Sequence, residues 1–246
     1  PEQKKMMQDM GIQFPGAAMN AESSGIDSDE MGVPNRDATR IAAIPTKVNA
    51  TTMGAYIGDV TKGFDGVLSS ETIAESETIF SQIQSKGADA GEYGTMAMGF
   101  WMGGEPELAL ILMGKSLKED PSQPDNLNNF AAMLSMQGGQ HLAIPILDML
   151  NQKFPNNSTI LNNLGQAWLG LGEIPKAEKY LDGALALYAF HPQANQSKCY
   201  IEHSKGNEEK AAEHLEKSLE HSYTEEKATQ LRQLGKKVTY KSYRMP

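Results

Sequence analysis

Three histidines stand among carboxylates late in the chain: His203, His214 and His221 lie near Glu202, Glu213, Glu216 and Glu220. Imidazole and carboxylate together can ligate a divalent metal or move a proton. His214 and His221 are seven residues apart and can share a helix face, yet no ligand pair has zinc-site spacing with a carboxylate clearly placed. Cys199 and His203, four apart, suggest a thiolate pair. Cys199, however, aligns with Gly165 in the repeat described below, where helices pack tightly, and so reads as a buried, inert thiol. No phosphate-binding loop, nucleophile elbow or pair of catalytic carboxylates appears. The expectation is therefore a non-enzyme with no cofactor and no metal. A metal-dependent or thiol enzyme is the alternative from another class.

Any chemistry here must be positioned by helices, because the apolar residues recur at three- and four-residue steps. The chain has 246 residues, enough for one or two domains with a real core. Its net charge of -9 argues against a general nucleic-acid or anionic-membrane binder, which it would repel. Basic residues gather near the C-terminus (Lys227, Arg232, Lys236, Lys237, Lys241, Arg244) without an aromatic platform interleaved at helical spacing, as on a solvated helix face. The single cysteine excludes an internal disulfide, and no apolar run is long enough to span a membrane. The chain begins at Pro1, which reads as a mature or trimmed form with any targeting segment out of view.

Residues 1–14, PEQKKMMQDMGIQF, predict a short amphipathic helix. From Pro15 to Asp37 the chain is rich in Gly, Ser, Asp, Asn and Pro, and has too little apolar surface to offset its ordering entropy alone. It is expected to be a linker, or a strap lying on another surface, so that 1–37 forms one region. Over 38–89 helical periodicity returns through Met53, Tyr56, Ile57, Val60, Phe64, Val67 and Leu68, then through Ile73, Ile79, Phe80 and Ile83. This predicts a leading helical hairpin.

An internal period governs the remainder. Gly104, Gly138, Gly172 and Gly206 are each 34 residues apart, and five residues after each stands Ala109, Ala143, Ala177 or Ala211. Pro121 and Pro155 keep the same period. Glycine permits a tight turn between two helices, alanine allows them to cross closely, and proline ends the unit. One hairpin alone leaves a face unburied, so stability must come from stacked neighbours.

This pattern resembles the tetratricopeptide repeat family. The best copy is STILNNLGQAWLGLGEIPKAEKYLDGALAL, with Leu164, Gly165, Trp168, Gly172, Ala177, Leu181 and Ala184 at the signature places. The resemblance implies an all-α, right-handed superhelical solenoid of helix-turn-helix repeats, at 90–123, 124–157, 158–191 and 192–225. A capping helix and tail occupy 226–246, opened by a capping box in Ser222–Glu225. Three departures stand out. Pro192 replaces a closing proline at Ala189, which predicts a longer second helix in the third repeat. Pro145 falls inside a helix, where it predicts a kink. Cys199 and Glu202 replace the usual small and aromatic residues in the fourth repeat.

In this family the first helix of each repeat lines the concave face, which implies a peptide-binding groove. Carried along by the period, that phase selects Met98, Trp101 and Met102; Asn128 and Asn129; Asn162, Asn163 and Gln166; Gln196 and Tyr200. A primary amide donates and accepts at once, so it matches the N–H and C=O of an extended peptide. The alternative is that such asparagines only satisfy backbone or water. Each net hydrogen bond contributes about 1 kcal/mol, far below the roughly 8 kcal/mol of a micromolar complex. Apolar anchors are needed, and Trp101 with Met98 and Met102 supplies them unless it packs on the leading hairpin. Repeats that grip a C-terminal carboxylate carry Lys and Arg here, whereas this chain has Gly94, Met98, Asn129, Thr159 and Asn163. The expected function is a non-catalytic scaffold or adaptor binding an extended peptide in the groove. The alternative is an assembly module whose groove is filled by its own N-terminal segment. The front segment is also similar to exported tetratricopeptide proteins of Gram-negative bacteria, which implies a periplasmic or exported protein, with a cytoplasmic adaptor as the alternative.

Overall fold

The computed structural model describes residues 31–64 and 68–238. The helix expected over 1–14, the linker up to residue 30, Val67, Lys241 and Arg244 lie outside the described residues. Among the described residues all regular structure is α-helical. Two compact units share the chain: one comprises Thr39–Leu150, the other residues 31–38 together with 151–238.

The first unit contains α1 (Ala38–Ala42, from its second residue), α2 (Met53–Phe64), α3 (Ser70–Gln84), α4 (Ala90–Met102), α5 (Pro106–Glu119), α6 (Pro124–Met136) and most of α7 (Gln140–Lys153). The second contains α8 (Ser158–Gly170), α9 (Ile174–Leu187), α10 (Pro192–Ser204), α11 (Glu208–His221) and α12 (Glu225–Gln233).

Each repeat turns on its glycine in one way. Gly104, Gly138, Gly172 and Gly206 have φ of 84°, 83°, 67° and 76°, the left-handed region that only glycine enters without strain. The N–H of the next residue then returns to the carbonyl five places back, as in Glu105 to Phe100, Gly139 to Leu134, Glu173 to Trp168 and Asn207 to Glu202. This double-bonded helix end satisfies the last carbonyls of the first helix and aims the chain into the second. The alanines that follow are fully buried.

In the first unit, α2 and α3 both pack against α5. The crossing of α2 and α5 is close: a Cβ on Gly114 would lie 2.4 Å from the Thr61 methyl. Phe64 meets Phe130 edge-on at 6.4 Å, and the Tyr56 hydroxyl donates to the Leu142 carbonyl. Fully buried Leu110, Leu112, Met113, Leu117, Leu127 and Phe130 fill the core, each contributing about 1.5–3 kcal/mol through burial. Arg40 pins α1 to the α6–α7 turn, donating to the Gly138 carbonyl and to Gln140 Oε1. Helix α7 runs unbroken from Gln140 to Lys153 through Pro145.

The second unit revises two expectations. Helix α9 is not longer than its counterparts: it has 14 residues, as do α5, α7 and α11. Tyr188 turns extended (φ −143°, ψ 93°) and ends it, while Pro192 serves as the first residue of α10, where its missing N–H is no loss. The final helix is capped by Thr224, whose side chain accepts from the Lys227 N–H, and not by Ser222. Ser222 is still closing α11, so it cannot open the next helix. Cys199 occupies its expected place as a fully buried residue, and Gly165 admits Leu181, whose Cγ would lie 2.6 Å from an added Cβ. Glu202, in the register of Trp168, is also buried but pairs with charge. Lys198 Nζ reaches Asp182 at 2.9 Å and Glu178 at 3.1 Å, and Lys205 bridges Glu178 and Glu202.

Candidate binding surfaces of the two units

Helix α4 is opened by Asp89, whose carboxylate accepts from the Glu92 N–H while Glu92 accepts from the Asp89 N–H. This reciprocal cap satisfies two N–H groups at the start of α4. Met98 and Trp101 are half-buried and Met102 is 78 % exposed. Asn128 and Asn129 on α6 are half-buried, and Met136 at the end of that helix is exposed. The amide that fastens α4 to α6 is a different one. Asn126 donates from Nδ2 to the Ala90 carbonyl at 3.1 Å and to Ser116 Oγ at 2.9 Å. Gly94 leaves room for it, since a Cβ there would lie 2.2 Å from Asn126 Oδ1. The first unit thus carries half-buried Met98, Trp101, Asn128 and Asn129 on α4 and α6, with Met102 and Met136 exposed.

On the matching helices of the second unit Asn162, Asn163 and Tyr200 are buried, while Gln166 and Gln196 are half-buried. Asn162 is 3 % exposed and Asn163 is buried, with Asn162 Nδ2 donating to Asn163 Oδ1 at 3.1 Å and to Gln166 Oε1 at 3.3 Å. Gln196 donates to the Tyr200 hydroxyl at 2.8 Å, and Gln230 of α12 donates to the same oxygen. Tyr200 is buried, and burial pushes its phenol up to about 12, against the pull of Gln230 and Gln196. These amides bond to one another and to Tyr200.

Over Tyr200, part of the cover is the chain itself. Residues 31–37 carry no helix. Met31, 4 % exposed, buries its side chain in a cluster with Cys199, Tyr200, Ala211, Ala212, Leu215, Leu219, Ala228 and Leu231, and Val33 packs against the same cluster. The Asp37 N–H donates to the Leu171 carbonyl at 2.9 Å, and Arg36 Nε meets Glu173 Oε2 at 2.6 Å. None of these contacts was legible in short-range patterns. Also missed was an exposed apolar turn between α9 and α10, formed by Leu187, Tyr188 and Phe190, with His221 5.0 Å from the Phe190 ring.

The histidines are placed as follows. His203 Nδ1 lies 2.8 Å from Glu208, His214 Nδ1 lies 2.9 Å from Asn195 Oδ1, and His191 accepts the Ala194 N–H at the start of α10. Among the described residues no three His, Cys, Asp or Glu gather in a way that could hold a metal. Burial raises the Cys199 thiol to about 12, with the Glu208 charge adding to it, far from the thiolate a nucleophile requires. No helix among the described residues is long and apolar enough to cross a membrane.

No family model matches the sequence, and no curated protein matches it. Solved structures do. TTC0263, a thermophilic TPR protein of Thermus thermophilus, is similar with a TM-score of 0.54 at 20 % identity, over 59 % of this chain and 80 % of that one. A MamA fragment from Desulfovibrio magneticus RS-1 follows with a TM-score of 0.50 at 18 % identity, over 68 % of this chain and 94 % of that one. PilF of Pseudomonas aeruginosa also reaches 0.50 at 18 % identity, over 75 % of this chain and 87 % of that one. At these identities the likeness is one of fold.

Proposed function

We propose that this chain, whose fold is that of the tetratricopeptide repeat, is a non-catalytic protein-interaction scaffold. It holds non-helical polypeptide against the first helices of its repeats. The observation that carries the reading is the seating of residues 31–37 in the second unit, through the buried Met31 side chain, the Arg36–Glu173 ion pair and the Asp37 backbone hydrogen bond. A surface that holds its own segment in this way has the chemistry to hold another's. In the first unit Met98, Trp101 and Met102 supply apolar anchors, and Asn128 and Asn129 supply amides. In the second, Tyr200 lies in the cluster that takes Met31, while Asn162 bonds to Asn163 and Gln166, and Gln196 to Tyr200. The seating of Met31 supports the second reading for this unit, a surface filled by the chain's own N-terminal part. An exported location is proposed from the front segment alone, and sequencing the N-terminus of the native protein tests it.

Selection of displayed, unstructured peptides against the full chain tests the scaffold reading. Selected peptides should bind about tenfold more weakly to Trp101→Ala and Asn129→Ala variants that keep the wild-type melting temperature. Peptides indifferent to both substitutions, or no selected peptide at all, would sink it for the first unit.

A further inference from the structure

The segment seated on the second unit is also a template of what that unit recognises. We infer that the unit takes, from a partner protein, a non-helical segment with a long flexible apolar side chain, a smaller apolar one two positions on and an arginine five positions on. This deepens the scaffold reading and rests on it.

Each element of the pattern has its own receptor. The apolar pocket formed by α10, α11 and α12 holds Met31, whose unbranched thioether suits an irregular gap. Val33 covers the edge of the same cluster. Glu173 sits at the start of α9, where the helix dipole favours its negative charge, and its side chain is only 15 % exposed. A guanidinium fits it better than an ammonium because it is planar and less strongly hydrated.

The fourth receptor reads backbone and no side chain. A Cβ on Gly172 would fall 2.5 Å from the Asn35 carbonyl carbon and oxygen and 2.6 Å from the Arg36 nitrogen. Gly104 and Gly206 make the same turn, yet an added Cβ there meets nothing within 4 Å. Gly172 is therefore needed twice, once for its turn and once to let a second backbone lie against it. The present occupant is also strained. Met31 has φ +48°, a left-handed conformation that strains a non-glycine residue. Its advantage is tethering, which for a short flexible linkage acts as an effective concentration on the order of millimolar. A free segment that reaches the pocket without the strain competes with it.

The test uses the full chain and a labelled peptide of residues 31–38, MGVPNRDA, read by fluorescence anisotropy. A Met31→Ser/Arg36→Ser variant disarms the resident segment, and circular dichroism checks that it stays helical. The peptide should bind this variant at least about tenfold more tightly than wild type. Adding Gly172→Ala should abolish binding, whereas adding Gly206→Ala, which carries the same turn strain, should leave it intact. Adding Glu173→Gln should weaken it. Binding that ignores Gly172→Ala, equal binding to wild type and variant, or no binding at all would overturn the inference. So would concentration-dependent dimers of wild type that vanish in Gly172→Ala, because the occupant would then be a second copy. Peptides selected through Trp101 alongside no binding here would remove this inference and leave the scaffold reading standing.

Discussion

The first helices of the two units present related residues in opposite surroundings. On α4 and α6 the methionines Met102 and Met136 face solvent, and Asn128 and Asn129 are half-buried. On α8 and α10 the amides Asn162 and Asn163 and the phenol of Tyr200 are buried. The turns behind both sets are alike, down to the glycine and the carbonyl it satisfies. The repeat framework therefore sets where these side chains stand, and other parts of the chain decide whether they are open. In the second unit Met31 packs in the cluster that buries Tyr200, and a charge network around buried Lys198 lies on the same helix.

The comparison is broken most severely by removing the hub of that network. Lys198→Ala removes the buried ammonium that Glu178 and Asp182 share and leaves Lys205 alone between Glu178 and Glu202; it should destabilise the second unit by about 2–3 kcal/mol, seen as faster hydrogen exchange in α9–α11. Met31→Ala should cost about 2 kcal/mol and raise exchange in α10–α12, while α4–α6 keep their protection. If α4–α6 lose protection equally, the contrast between the units is false. Asn126→Ala is the reciprocal experiment, expected to cost about 1–2 kcal/mol confined to the first unit.

Acid should sharpen the contrast more gently. Burial holds His191 and His214 below their ordinary 6.5, Lys198 and Lys217 adding to the effect at His214. The unfolded chain therefore takes up these protons first, and the second unit loses stability as pH falls through 6.5. At Glu178 and Glu202 burial pushes upward, but hydrogen bonds and nearby ammonium groups win and hold both below the usual 4.5, so the loss resumes below that pH. A melting series from pH 8 to 4 checks this, and exchange should rise in α9–α11 before α4–α6. Smallest of all, Met102→Ser should change stability by no more than about 0.5 kcal/mol, because that side chain is mostly in water. A larger cost would mean that the surface of the first unit is not open.

Several of these features could be read from the residues alone, because their causes are local. A left-handed turn requires glycine, a close helix crossing requires alanine, and both recur every 34 residues. Cys199 followed from its register with Gly165. Other expectations failed for equally physical reasons. Ser222 and Glu225 have capping-box spacing, but Ser222 was already committed to the helix before it. Pro192 was read as a stop although it is a start. Asn126 carried an unused signal: it stands 34 residues before Ile160, a buried core position, and so pointed inward. Composition suggested that residues 15–37 form a linker or strap, but where 31–37 sit could not be read locally, because the partner of Arg36 lies 137 positions away.

The solitary thiol has a practical consequence. Cys199 is fully enclosed and protonated at ordinary pH, so the folded protein should be silent toward maleimides and disulfide reagents. A cysteine introduced at exposed Met102 or Asn35 would then be the sole target for a fluorophore or spin label. Left unaltered, Cys199 reports from within: its rate of modification counts how often α10 and α11 part, giving a clock for the opening of one hairpin in the intact chain.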